Sequence, residues 1–184
     1  MPRMDSPGQT SPSPARRGGA RRVLQFLILF PLLFIVLQRG YLATRHITSD
    51  FLNQGLNGVP SAAILNILLP ADNVEAIDGQ LVSTHGSINI KKGCEGVEVA
   101  LILVSAILAY PMPWQRRLSG VVAGLIFVYA INLIRITSLY YIMTRHSKWF
   151  DAAHVTLWQT IIILLSALFF LGWIDGPKRK KLPR

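Results

Sequence analysis

Four apolar runs, residues 23–38, 97–110, 118–143 and 155–174, decide what this chain can fold into. A spanning helix needs about 20 apolar residues; the last two runs reach that length, and the first two reach it with their flanks. Backbone N–H and C=O groups in lipid must be satisfied within the chain, which restricts such runs to helices. Composition agrees, with 51% hydrophobic and only 15% charged residues. The sequence predicts an all-α membrane protein with about four transmembrane helices. The first run follows Arg21 and Arg22 as in a signal peptide, but no small-residue cleavage site comes close behind it, so it reads as a retained anchor.

A net charge of +10 raises the question of nucleic acid. The basic residues lie beside apolar runs, in the two tails and one short loop, as on the cytoplasmic side of a membrane protein. No basic helix or aromatic-basic motif of a nucleic-acid binder is present; the partners this pattern predicts are membrane lipids. Residues 1–20, rich in Pro, Ser, Gly and Arg, are expected to form a disordered cytoplasmic tail. Residues 21–176 form one integral-membrane domain, and 177–184 a basic cytoplasmic tail.

A fifth stretch, 51–69, is apolar but interrupted by Asn53, Gln54, Asn57, Asn66 and Pro60. Charge arbitrates whether it spans. Without it, the inner side holds Arg3, Arg16, Arg17, Arg21, Arg22, Arg116, Arg117, Lys178, Arg179, Lys180, Lys181 and Arg184. That is twelve basic residues, against six outside: Arg39, Arg45, Lys91, Lys92, Arg145 and Lys148. With it, the division becomes nine against nine. The positive-inside rule favours four spans, both termini cytoplasmic, and 51–69 as an interfacial helical piece on the outer side.

Between that piece and Cys94 lies the only β-like region. Val74 to Ile77, the turn Asp78-Gly79, and Gln80 to Thr84 read as a hairpin, because Asp-Gly tolerates the positive φ of tight turns. Ser87-Ile88-Asn89-Ile90 suggests a third strand. This small extracytoplasmic meander can serve as a lid, a docking edge for an extended peptide, or a packing cap.

With this topology Cys94, Arg135 and His154 share one level. Cys94 opens the second span at its outer end. Arg135 lies seventeen residues along the third span, a rise of roughly 25 Å in a core ~30 Å thick. His154 opens the fourth span, again outside. Cys94 is the sole cysteine, which excludes an internal disulfide, a CxxC pair and a multi-cysteine zinc site. A thiol at a helix N-terminus is drawn toward thiolate by the unpaired N–H groups; Lys91 and Lys92 assist, while Glu95 and Glu98 oppose. His154 can move the thiol proton to a leaving amine. Arg135 can stabilise an oxyanion.

Each residue also has a structural reading: Cys94 as an inert buried thiol, Arg135 paired with Glu98, His154 as an incidental interfacial histidine. His146 is the rival base. Asn132, Arg135 and Ser138 share one helical face, which points to a protein-facing stripe. Trp149, Trp158, Trp173, Tyr110 and Tyr140 read as interface anchors. His146, Asp151 and His154 are spaced too loosely for a metal site, and no cofactor is expected.

Gly93-Cys94-Glu95-Gly96-Val97-Glu98, Asn132-Leu133-Ile134-Arg135-Ile136 and a histidine before the last span, in this order, resemble the exosortase/archaeosortase family, most closely its small exosortase H subgroup. The resemblance covers about residues 74–173. It implies a membrane-embedded cysteine protease or transpeptidase of the bacterial cytoplasmic membrane. Its substrates would be exported proteins with a C-terminal sorting signal: a short motif (Ile-Pro-Thr-Leu type in that subgroup), a transmembrane helix and a basic tail. Cys94 would be the nucleophile that forms an acyl-thioester, with Arg135 and His154 completing the site. The alternatives are a membrane thiol acyltransferase, which favours a wide apolar cleft, and a non-enzymatic membrane assembly factor.

The four-span topology predicts that a reporter fused after Thr84 reads as extracytoplasmic. A cytoplasmic readout there would overturn the topology and separate Cys94 from its two partners.

Overall fold

The computed structural model describes residues 14–90 and 95–176, with side chains from residue 21 onward. Helix α1 (Pro14–Asp50) begins inside the stretch expected to be a tail. It runs directly into a π-helical segment, Phe51–Gly58, and then into α2 (Val59–Leu68). The stretch 51–69 is thus helical and continuous with the first helix. Pro60 falls in the first turn of α2, where a missing N–H costs little. Strands β1 (Glu75–Ile77), β2 (Gln80–Ser83) and β3 (Gly86–Asn89) follow. Helices α3 (Val97–Ala109), α4 (Trp114–Arg145) and α5 (Trp158–Asp175) complete the chain. A second π-helical segment, Ala152–Leu157, leads into α5.

The protein is an all-α membrane protein carrying one small sheet. Three helical stretches are long and apolar enough to cross a membrane: Arg21–Leu68, Trp114–Arg145 and Ala152–Asp175. Helix α3 is apolar but has 13 residues, about 20 Å of rise. Leu24, Leu27 and Ile28 on α1 and Leu164, Leu168 and Leu171 on α5 are exposed, as lipid-facing side chains are. Within the bundle, Val99, Leu103 and Ile107 of α3 pack on Val128 and Ile131 of α4 and Ile162 of α5. Gly120 lets α4 and α5 approach, since a Cβ there would lie 2.5 Å from the Trp173 ring.

The sheet is an antiparallel meander in the order β1-β2-β3. Asp78 (φ 49) and Gly79 (φ 71) both adopt positive φ, the geometry of a type I′ turn. One face of the sheet is apolar: Leu81, Ile88 and Ile90 are buried against Ile136, Leu139 and Tyr140 of α4. Burying side chains of that size contributes about 1.5–3 kcal/mol each, so the sheet is anchored to α4.

The polar residues that interrupt 51–69 also hold the sheet. Gln54 donates to the Ala76 carbonyl at 2.6 Å and accepts from the Gly79 N–H at 2.8 Å. Asn66 donates to the Val74 carbonyl at 2.9 Å and accepts from the Val74 N–H at 2.7 Å. Tyr140 is fully buried and not an interface anchor: its hydroxyl reaches Asp72 Oδ2 at 3.2 Å and Ser83 Oγ at 2.6 Å. The aromatic ring packs under the sheet because the two oxygens give its hydroxyl a partner there. Asp72, itself buried, also pairs with Arg145 at 3.3 Å and His85 at 3.5 Å.

Asp72→Ala removes the one carboxylate that joins α4, the Pro70–Asp72 turn and the meander. The expected cost is about 1–3 kcal/mol, read as a lower thermal unfolding midpoint in detergent. An unchanged midpoint would mean that apolar packing alone holds the sheet.

Candidate functional site

Cys94 lies outside the described residues, together with Lys91, Lys92 and Gly93. Its chain neighbour Glu95 is described and fixes where the candidate site begins. After Glu95 the chain turns through Gly96 in the left-handed region (φ 73), and α3 starts at Val97. The Ala100 N–H bonds the Gly96 carbonyl at 3.1 Å. The positive φ favours glycine at this helix entry. Space favours it too, because a Cβ on Gly96 would lie 2.9 Å from Asn132 Cγ.

Asn132 and Arg135 belong to the buried face of α4, one turn apart, with Ser138 half-buried beyond them. The Asn132 amide donates to Asn57 Oδ1 at 3.0 Å. Asn57, buried in the first π-helical segment, donates in turn to the Leu52 carbonyl at 3.0 Å and, at the long limit of 3.5 Å, to the Glu95 carbonyl. Tyr129, a turn before Asn132, donates its hydroxyl to the Leu56 carbonyl at 2.8 Å. Asn57 and Asn132 therefore contact the turn at Glu95 and Gly96, and Tyr129 ties α4 to the π-helical segment that carries Asn57.

Arg135 is 3% exposed, and its Nε has no hydrogen-bond partner among the described residues. It makes no ion pair with a described residue, so the pairing with Glu98 is not formed. Both line a cavity of about 110 Å3, shared with Tyr41, Arg45, Glu95 and Gly96. His154, half-buried in the second π-helical segment, lies within electrostatic reach of Arg135. Its ring stacks on Phe150 with centroids 5.5 Å apart. The rival His146 is exposed and packs edge-on against Tyr141. The structure thus places Arg135 beside Glu95 and Gly96 with His154 within its electrostatic reach, and leaves His146 at the surface. Among the described residues no three His, Cys, Asp or Glu side chains gather as metal ligands.

Two further cavities meet at Glu95. One, of about 350 Å3, is apolar and lined by Leu52, Leu56, Ala100, Leu125, Ile126 and Val128, with Gly96 and Glu95 at its edge. The other, of about 480 Å3, is lined by Leu42 and by the polar residues Arg45, His46, Ser49, Asp50, Asn53 and Glu95. Glu95 is held from α1: Tyr41 donates its hydroxyl to Glu95 Oε2, and Arg45 Nη2 lies 3.6 Å from Oε1. Sequence reasoning passed over Asn57, Tyr41 and Arg45. Only Asn57 left a signal, as a polar break in an apolar stretch.

The family model described as transmembrane exosortase (Exosortase_EpsH) matches residues 18–172. No curated protein and no solved structure matches the chain.

Gly96→Ala meets two penalties, positive φ and the Asn132 side chain. We expect a loss of about 1–3 kcal/mol in stability, measured as an earlier thermal or denaturant midpoint of the purified protein. A wild-type midpoint would show that the turn relaxes and that the contact with Asn132 does not position it.

Proposed function

The chain belongs to the transmembrane exosortase family, and we propose that it is a cysteine protease or transpeptidase acting on C-terminal sorting signals at the outer face of the bacterial cytoplasmic membrane. The observation that carries this reading is the buried Arg135, with an unpaired Nε, lining a small cavity beside Glu95 and Gly96 while lying within electrostatic reach of His154. A cation buried without an ion pair is expensive to keep. That cost is explained if an anion forms there during the reaction.

The chemistry follows from the residue types. The Cys94 thiol gives its proton to His154, and the sulfur attacks the carbonyl carbon of the scissile amide. Arg135 stabilises the resulting oxyanion. The C–N bond then breaks, the amine leaves with the proton from His154, and an acyl-thioester remains on Cys94. Water or an amine acceptor attacks the thioester and restores the thiol. Substrates of this class carry an apolar helix next to the cleaved motif, and the apolar cavity beside Glu95, of about 350 Å3, suits a few apolar side chains at the end of such a helix.

A membrane thiol acyltransferase keeps one observation in its favour, because the same apolar cavity of about 350 Å3 suits a lipid chain. The mass of the adduct trapped on Cys94, peptidyl or fatty acyl, separates the two readings.

In cells, Cys94→Ala should insert normally and abolish processing of a tagged sorting-signal substrate. Arg135→Lys should lose about 10²-fold or more, because lysine keeps the charge but not the planar fork. His154→Ala should lose about 10²–10⁴-fold, whereas His146→Ala should stay within about twofold, as exposed substitutions away from a site do. Normal processing by Cys94→Ala would sink the peptidase reading and leave an assembly role.

A further inference from the structure

Among the described residues, Glu95 is the one side chain that lines all three cavities around the candidate site. Its carboxylate is only 12% exposed, and it is bonded in the chain to Cys94. Adjacent residues have Cα atoms about 3.8 Å apart. A carboxylate on the residue next to a thiol works against its ionisation, since like charges disfavour each other. The chain places an acid where the proposed nucleophile needs the opposite influence, and helix α1 answers it with two side chains fifty or more residues away in sequence.

We propose that Arg45 and Tyr41 of α1 are positioning residues for the nucleophile, anchoring the Glu95 carboxylate on the first helix and offsetting its charge beside the Cys94 thiol. The two contacts are independent. Tyr41 donates its hydroxyl to Oε2, and the Arg45 guanidinium lies 3.6 Å from Oε1. Tyr41 and Arg45 are one helical turn apart, so a single face of α1 supplies both. With the Glu95 main-chain carbonyl held by Asn57, side chain and backbone of this residue are fixed from two different elements.

Other charged groups face the same region. Glu98 of α3 and Arg135 of α4 line the smaller cavity, and His46 and Asp50 of α1 line the one of about 480 Å3. His154 lies within reach of Arg135, and Lys91 and Lys92 precede the cysteine in sequence. Among the described residues, Arg45 is the one cation in an ion pair with Glu95. Removing it therefore changes the field at Cys94 through Glu95. This inference rests on Cys94 as the nucleophile, but its test does not require a substrate.

Cys94 is the only cysteine, so alkylation of the full-length protein by iodoacetamide across a pH series reports on that thiol alone. Arg45→Met leaves the Glu95 charge uncompensated. Because Arg45 is half exposed, solvent screening limits the effect; the alkylation midpoint should rise by roughly half a unit to one unit, a three- to tenfold slower reaction near neutral pH. Adding Glu95→Gln to Arg45→Met removes the uncompensated charge and should bring the midpoint back to or below the wild-type value. A wild-type midpoint in Arg45→Met overturns the proposal. So does a raised midpoint that persists in the double variant, since misfolding would not be cured by a second substitution. If Cys94→Ala still processes substrate while the midpoints move as stated, the sorting reading fails and the charge relation between Arg45, Glu95 and Cys94 stands.

Discussion

Asn57 donates to the Leu52 carbonyl in its own widened turn and to the Glu95 carbonyl, and accepts from Asn132 on α4. Asn57 and Asn132 are buried, and a buried polar group left without a partner costs about 1–3 kcal/mol. The network therefore acts as a whole. The π-helical segment must sit where Asn57 reaches both α4 and the turn after Cys94, and the turn must then pass so close to α4 that only glycine fits at position 96. Gln54 and Asn66, on the same helical run, do the equivalent for the sheet. Amides suit this task because each offers a donor and an acceptor to main-chain groups that have no helical partner.

The length mismatch between α3 and α4 explains where the sheet goes. α3 has 13 residues and α4 has 32, a difference of almost 30 Å of rise. The N-terminus of α3 ends level with Asn132, where Gly96 touches it. Beyond that level α4 continues for more than three turns and exposes Ile136, Leu139 and Tyr140, which would lack a helical partner. The meander and α2 cover them with Leu81, Ile88, Ile90 and Leu65. A short α3 thus creates the space for the sheet, and α3 begins at the level of Asn132, one turn from Arg135. The candidate site lies at this junction between bundle and sheet.

Features carried by local pattern were legible in the sequence. The apolar runs marked the helices, Asp78-Gly79 marked the hairpin, and the spacing of Asn132, Arg135 and Ser138 marked a protein-facing stripe. The different surroundings of His146 and His154 were not legible, because both lie in the same stretch of sequence and only packing separates the exposed ring from the one within reach of Arg135. Tyr140 was misread as an interface anchor because its partners, Asp72 and Ser83, are 68 and 57 residues distant in sequence. The Glu95 contacts were invisible for the same reason, with Tyr41 lying 54 residues away. Polar breaks in 51–69 were seen as a weakness of a possible span. Three of them are the contacts that attach the sheet and the turn after Cys94.

Charge balance around the small cavity bears on how such a site survives in a membrane protein. Among the described residues, Arg45 and Arg135 line it with Glu95 and Glu98, two cations and two anions that balance one another. An isolated buried cation would be costly in this setting, and the two carboxylates lower that cost without tying Arg135 into an ion pair of its own. Arg45 is committed to Glu95, which leaves the guanidinium of Arg135 as the cation not engaged by a described carboxylate. An oxyanion forming beside it would gain that interaction without first breaking a salt bridge. Fixed charges of this kind stabilise a transition state because they need little reorganisation as the charge develops. The carboxylates that moderate the resting field also disfavour a second anion beside them, since like charges repel.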